Sequence, residues 1–116
     1  MTTSPRALHA ALLACAALLA PLAAHAADKV KVGFVSTLSG PSAALGVDIR
    51  DGFNLAVKLN GGKLGGLPAE VLISDDQFKP DVARQLFERN IKRDKVDFMT
   101  GVVFSNIMLA ALPEAL

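Results

Sequence analysis

Three short apolar runs, each followed by small or polar residues and then an amphipathic stretch of helical length, constrain this chain more than any other feature. The runs cover residues 29–36, 69–74 and 97–103. In the first, Val30, Val32 and Phe34 share one face and Val35 adds apolar character to the other, as in a strand covered on both sides. Parallel strands need crossovers of about helix length. The β-α-β-α-β-α order therefore predicts an α/β fold with three layers, a doubly wound parallel sheet between helices. Ligands on such sheets bind beyond the C-terminal ends of the strands. The loops 37–44, 75–79 and 104–106 are expected to meet there.

The connecting helices are legible from their periods. Over 45–60, Leu45, Ile49, Phe53, Ala56 and Val57 recur at three and four, with Asp48, Arg50, Asp51, Asn54 and Lys58 on other faces and Ser42 as N-cap. Lys79-Pro80-Asp81 opens a second helix, with proline in the first turn and an acid favoured by the dipole. Its buried face is Ala83, Leu86, Phe87, Asn90 and Ile91 up to Arg93, and Arg84, Glu88 and Lys92 form an i,i+4 ladder on the wet face. Ser105 is expected to cap a third helix over 106–112, which Pro113 stops. Gly61-Gly62-Lys63-Leu64-Gly65-Gly66 follows a helix and precedes a strand, the reverse of a phosphate loop, and reads as a C-cap and turn.

Ahead of the first strand, residues 7–24 are almost wholly Ala and Leu, interrupted by His9 and Pro21, behind a single charge at Arg6. Ala24-His25-Ala26 supplies the small residues of an A-x-A cleavage site. This pattern predicts a signal peptide over 1–26, cleavage between Ala26 and Ala27, and an exported domain over 27–116. Pro21 argues against a membrane anchor. Cys15, the one cysteine, lies in Leu12-Leu13-Ala14-Cys15, which resembles a lipoprotein cleavage box; the apolar run continuing through Leu22 argues against lipidation.

The whole chain has 12 basic and 11 acidic residues, and loss of Arg6 with the leader leaves a neutral domain. With no basic block it presents no electrostatic footprint for nucleic acid, and with no Trp or Tyr it lacks the usual stacking anchors. His9, His25 and Cys15 all fall in the leader. No nucleophile–base pair is visible in the remainder, so the chain reads as a non-enzyme without cofactor or metal.

Ser39-Gly40-Pro41-Ser42 and Ser105-Asn106 each offer hydroxyls and free N–H groups at a helix start. Two such loops at one sheet edge suit a carboxylate or phosphate, although ordinary capping needs no ligand. Asp75 and Asp76 point to opposite faces of their strand and read as strand-end acids satisfying loop N–H groups rather than as a chelate. Phe78 and Phe104 both follow strand ends; walling a pocket and closing the top of the core are equally open to them.

Four segments in order, VKVGFVSTLSGPSAALG, DGFNLAVKLNGGKLGG, SDDQFKPDVA and MTGVVFSNIMLAALPEA, together resemble the type I periplasmic solute-binding proteins, the branched-chain amino acid group that serves ABC transporters. The resemblance implies a periplasmic, two-lobed protein that closes on a small-molecule carboxylate and delivers it to an inner-membrane ABC permease. It implies that Ser105 and Asn106 grip the carboxylate after the third strand, and that Ser39 to Leu45 line the same cleft. Amino-acid binders of the group often carry a disulfide near the places where Phe78 and Phe104 stand. That departure leaves room for an aromatic acid, on which Phe104 would pack. Members are several times longer, so the chain reads as an N-terminal fragment of lobe 1, without the second lobe. The alternatives are a ligand-sensing receptor domain of the same fold and a non-functional truncated fragment.

Overall fold

The computed structural model describes residues 28–116. The leader, the cleavage site at Ala26 and Ala27, and Cys15 lie outside the described residues.

Strand β1 (Val30–Ser36) is central and almost entirely buried. Strand β3 (Leu67–Asp75) and strand β4 (Phe98–Thr100) flank it, both parallel to it, with Val32 in register with Val71 and with Phe98. The short strand β2 (Lys63–Leu64) joins the far side of β3 in an antiparallel hairpin, so the sheet order is β2-β3-β1-β4. The turn between β2 and β3 is Gly65-Gly66, both at positive φ, which is the two-residue turn whose twist matches a hairpin. The glycine segment is thus a turn, as expected, and it also adds a strand.

Adjacent strand residues face opposite layers, and β1 shows both. Phe34 meets Phe53 of helix α1 (Ala43–Leu59), with ring centroids 5.3 Å apart. Val35 packs on the other side, in a core with Ala83 and Phe87 of helix α2 (Pro80–Glu88) and Ile107 and Ala111 of helix α3 (Ser105–Ala111). Full burial of a side chain such as Phe34 contributes about 2–3 kcal/mol. The helices therefore lie on both faces of the sheet. Coverage by α1 is partial: Ile73 and Phe98 share the Phe34 face by register, yet Phe98 stays 64% exposed.

Helix α2 begins as its sequence dictates, with Pro80 in the first turn and Asp81 beside it, and continues as a π-helical turn through Arg93. Lys92 pairs with Glu88 at 3.1 Å, but Arg84 turns away from that ladder to Glu114 at 3.4 Å, tying the final 3-10 turn (Leu112–Ala115) to α2.

Two expectations need correction. The third strand was expected over 97–103, but β4 spans only Phe98–Thr100 because Gly101 takes φ +96, outside any strand conformation. A side chain there would also meet the Phe34 ring at 3.0 Å. Ser105 was expected to cap α3. Phe104 holds the N-cap position in an extended conformation, and Ser105 is the first helical residue with no capping hydrogen bond from Phe104. Ser42 does stand at the N-cap of α1, but its side chain makes no cap bond. A turn closed by Ala43 N–H on the Gly40 carbonyl, at 3.1 Å, orders that entry instead.

Candidate functional site

The chain leaves β1, β3 and β4 at the same end of the sheet, and hydrogen bonds join the first two exits. Thr37 Oγ1 donates to Asp76 Oδ1 at 2.6 Å, in a fully buried pair. The same carboxylate oxygen accepts the Phe78 N–H at 2.8 Å. Asp75 Oδ1 accepts from the Leu38 N–H at 2.9 Å and the Gln77 N–H at 2.8 Å. The two acids therefore do what their position at a strand end suggests: each satisfies its own loop and reaches across to the loop after β1.

The electrostatics follow from those bonds. Burial opposes ionisation of Asp75. Hydrogen bonds from the Ser39 side chain and from the backbone N–H groups of Leu38, Gln77 and Ser39 outweigh it and hold the carboxyl below its usual value. Ser39 itself remains exposed.

The third exit joins the rim through aromatic contact. Phe78 and Phe104 pack edge to face, with centroids 4.8 Å apart and planes at 78°. Phe104 is half-buried against the core below, whereas Phe78 is 43% exposed. Of the two roles the sequence left open, Phe104 takes the closing of the core top, and Phe78 packs on it from the loop after β3. Ser105 and Asn106 follow Phe104 and are exposed. Leu45, on the first turns of α1, is 55% exposed. The structure thus gathers the loops that carry Ser39, Phe104, Ser105 and Asn106 at one sheet end and sets the entry of α1 beside them.

Three contributors escaped the sequence reading. Thr37 is a buried hydroxyl that ties two loops, and its only signal was a polar residue directly behind an apolar strand. Gly46 lets the first turns of α1 lie against the Thr37 carbonyl. Its signal was a glycine inside a strongly periodic helix. The Phe78 backbone, at φ 59 beside Gln77 at φ 55, left no sequence signal at all.

Two concave surfaces lie away from this rim. One is bounded by Ile91, Val96 and Phe98, the other by Phe87, Gly101 and Met108, and Met99 lines both. They follow the outer edge of β4 and include no candidate ligand residue. They mark apolar surface beside an edge strand, and the polar, hydrogen-bonded rim is the better candidate site. Among the described residues no cluster of His, Cys, Asp and Glu is arranged to hold a metal ion, and no helix is long and apolar enough to cross a membrane.

A family model described as periplasmic binding protein matches residues 29–115. The Leu/Ile/Val-binding protein homolog 6 of Brucella abortus is 31% identical over 96 residues, 82% of this chain and 24% of that protein. The solute-binding protein of an ABC transporter from R. palustris, solved in complex with benzoate, is 36% identical with a TM-score of 0.70, over 75% of this chain and 24% of the other. The branched-chain amino acid transporter substrate-binding protein of Streptococcus pneumoniae, solved with isoleucine, is 28% identical with a TM-score of 0.69, over 75% of this chain and 26% of the other. The chain spans about a quarter of the length of these relatives.

Proposed function

The chain belongs to the periplasmic binding protein family, in its leucine-binding-protein-like type I branch, and from that premise we propose that the full-length gene product is the solute-capturing component of an ABC transporter. The observation that carries the reading is the single rim built from the exits of β1, β3 and β4. Three loops tied to one another at the C-terminal ends of parallel strands form the place where such a sheet receives a ligand.

The ligand is a small carboxylate. Ser105 and Asn106 offer it a hydroxyl, an amide and N–H groups that no preceding helical turn uses. Ser39 and Leu45 line the facing side. An aromatic acid fits better than a branched-chain amino acid, because Phe104 places aromatic surface directly before Ser105. The benzoate-bound relative supports this choice. Capture and release need no bond-making group, so the role is not enzymatic. The protein is exported to the periplasm through the leader over 1–26, and its partner is an inner-membrane permease.

Titration calorimetry on the full-length gene product with benzoate, L-leucine and L-isoleucine tests the reading. Tighter binding of benzoate is expected. Tight binding of leucine or isoleucine without benzoate would replace the aromatic acid with an amino acid, and binding of none of them would overturn the proposal.

A further inference from the structure

Phe78 combines features that a simple core residue has no need of. It and Gln77 occupy the left-handed region consecutively, at φ 59 and 55, which is rare for a bulky aromatic. Two carboxylates hold the strained pair: Asp75 accepts the N–H of Gln77 and Asp76 that of Phe78, both at 2.8 Å. The side chain so presented is not buried; 43% of the residue remains exposed. Burial of apolar surface therefore does not account for the conformation. The conformation brings the ring into edge-to-face packing on Phe104, with centroids 4.8 Å apart. That contact crosses over the end of β1, since β3 and β4 flank it on either side. Phe104 is itself the residue on which α3 begins, immediately before Ser105.

We infer that Phe78 is a positioning residue: its ring fixes Phe104 and so sets where the Phe104–Asn106 corner stands relative to the loops after β1 and β3. The inference rests on the ligand-binding reading of that corner and adds the residue outside it that sets its geometry. A strained segment held in place by its surroundings is the usual mark of a functional constraint, and here the constraint has a named beneficiary.

The strain supplies a discriminating test. Phe78→Gly relieves the backbone, because glycine accepts positive φ freely, and removes the ring. A residue that merely fills space would then be replaced at little cost to ligand binding. Phe78→Tyr keeps the ring and the strain, and Phe78→Leu keeps bulk and strain without the ring. The full-length gene product and these three variants are compared by thermal midpoint and by calorimetric Kd for benzoate and L-leucine, each Kd referred to the folded fraction. The expected result is a tenfold or greater loss of affinity in Phe78→Gly and in Phe78→Leu, with Phe78→Tyr within about threefold of wild type. Unchanged affinity of the folded fraction in Phe78→Gly, or in Phe78→Leu where the glycine variant fails to fold, overturns the positioning role and leaves the binding reading intact. A wild-type protein that binds neither probe removes the reading and the inference together.

Discussion

Thr37 and Gly46 meet backbone to backbone: a methyl group on Gly46 would stand 1.9 Å from the Thr37 carbonyl oxygen. The obstructing atom belongs to the main chain, so no side-chain rotation relieves it. This contact sets α1 directly on the exit of β1 and holds the loop that carries Ser39 short and ordered. Alanine improves an exposed helix by about 1 kcal/mol relative to glycine, but overpacking against an immovable neighbour costs about 1–3 kcal/mol and wins where the overlap is this deep. Gly46→Ala should therefore lower stability by about 1–2 kcal/mol in urea unfolding. Gly52, on the same helix, has nothing within 4 Å of its missing side chain. Gly52→Ala should raise stability by about 0.5–1 kcal/mol. Equal effects at the two sites would mean that the close approach is not made in solution.

Asp76 is the hub between the first two loops, with Thr37 Oγ1 and the Phe78 N–H both on its Oδ1. Removing the acceptor strands a buried hydroxyl and an N–H, and each such loss costs about 1–3 kcal/mol. Asp76→Ala should shift the urea midpoint down by the equivalent of about 2–4 kcal/mol with little change in the m-value. Asp76→Asn keeps an acceptor oxygen in place and should cost less than half as much.

Asp75 gives the protein an acid-sensitive element. Its folded-state carboxyl titrates below the ordinary value of 3.8, so the unfolded chain binds a proton first as the pH falls. The stabilisation it contributes is complete above the unfolded value and is lost as the pH drops through the folded one. Stability measured from pH 6 down to pH 2 should decline below about pH 4, and Asp75→Asn should flatten that part of the curve. Glu70 is also lowered, chiefly by its hydrogen bond with Lys29, but this pair sits on the surface, so its share should vanish in high salt while that of Asp75 persists.

Ser105 is exposed and is the first residue of α3 rather than its cap. Ser105→Ala should leave the thermal midpoint of the full-length protein nearly unchanged. Ligand affinity should fall by about 1–3 kcal/mol, the value of a hydrogen bond to a charged group. A calorimetric Kd equal to that of wild type would remove Ser105 from the binding site.

The proposed export through a leader over 1–26 has a mass signature. Intact-mass spectrometry of the native product from fractionated cells should find a periplasmic species whose first residue is Ala27. A lipid on Cys15 would instead give a heavier, membrane-associated species and displace the cleavage site.

Much of this architecture was written in short stretches of sequence, because strands, helices and their starts depend on neighbours within a few residues. The alternation around Val32 and Phe34, the Pro80-Asp81 helix start and the strand-end acids Asp75 and Asp76 all stand where the local pattern puts them. The parallel pairing of β1, β3 and β4 followed from crossover length, whereas the antiparallel β2 that makes the sheet mixed did not. Where the sequence reading slipped, the cause was one residue acting against its neighbours. Gly101 ended β4 three residues before the apolar pattern did, and Phe104 took the cap position that the Ser105 hydroxyl suited.

The sequence by itself determined the three parallel strands and the three helices, their order, and the end of the sheet at which the loops gather. Only the tertiary structure decided which loop touches which. Thr37 lies 39 residues from Asp76, and no local rule pairs them. The Phe78–Phe104 contact depends on β3 and β4 flanking β1, and on a left-handed backbone held by two acids from the preceding strand end. The physical reason is that periodicity and capping are short-range, whereas strand order, close backbone approach and held strain are set by packing between segments distant in the chain.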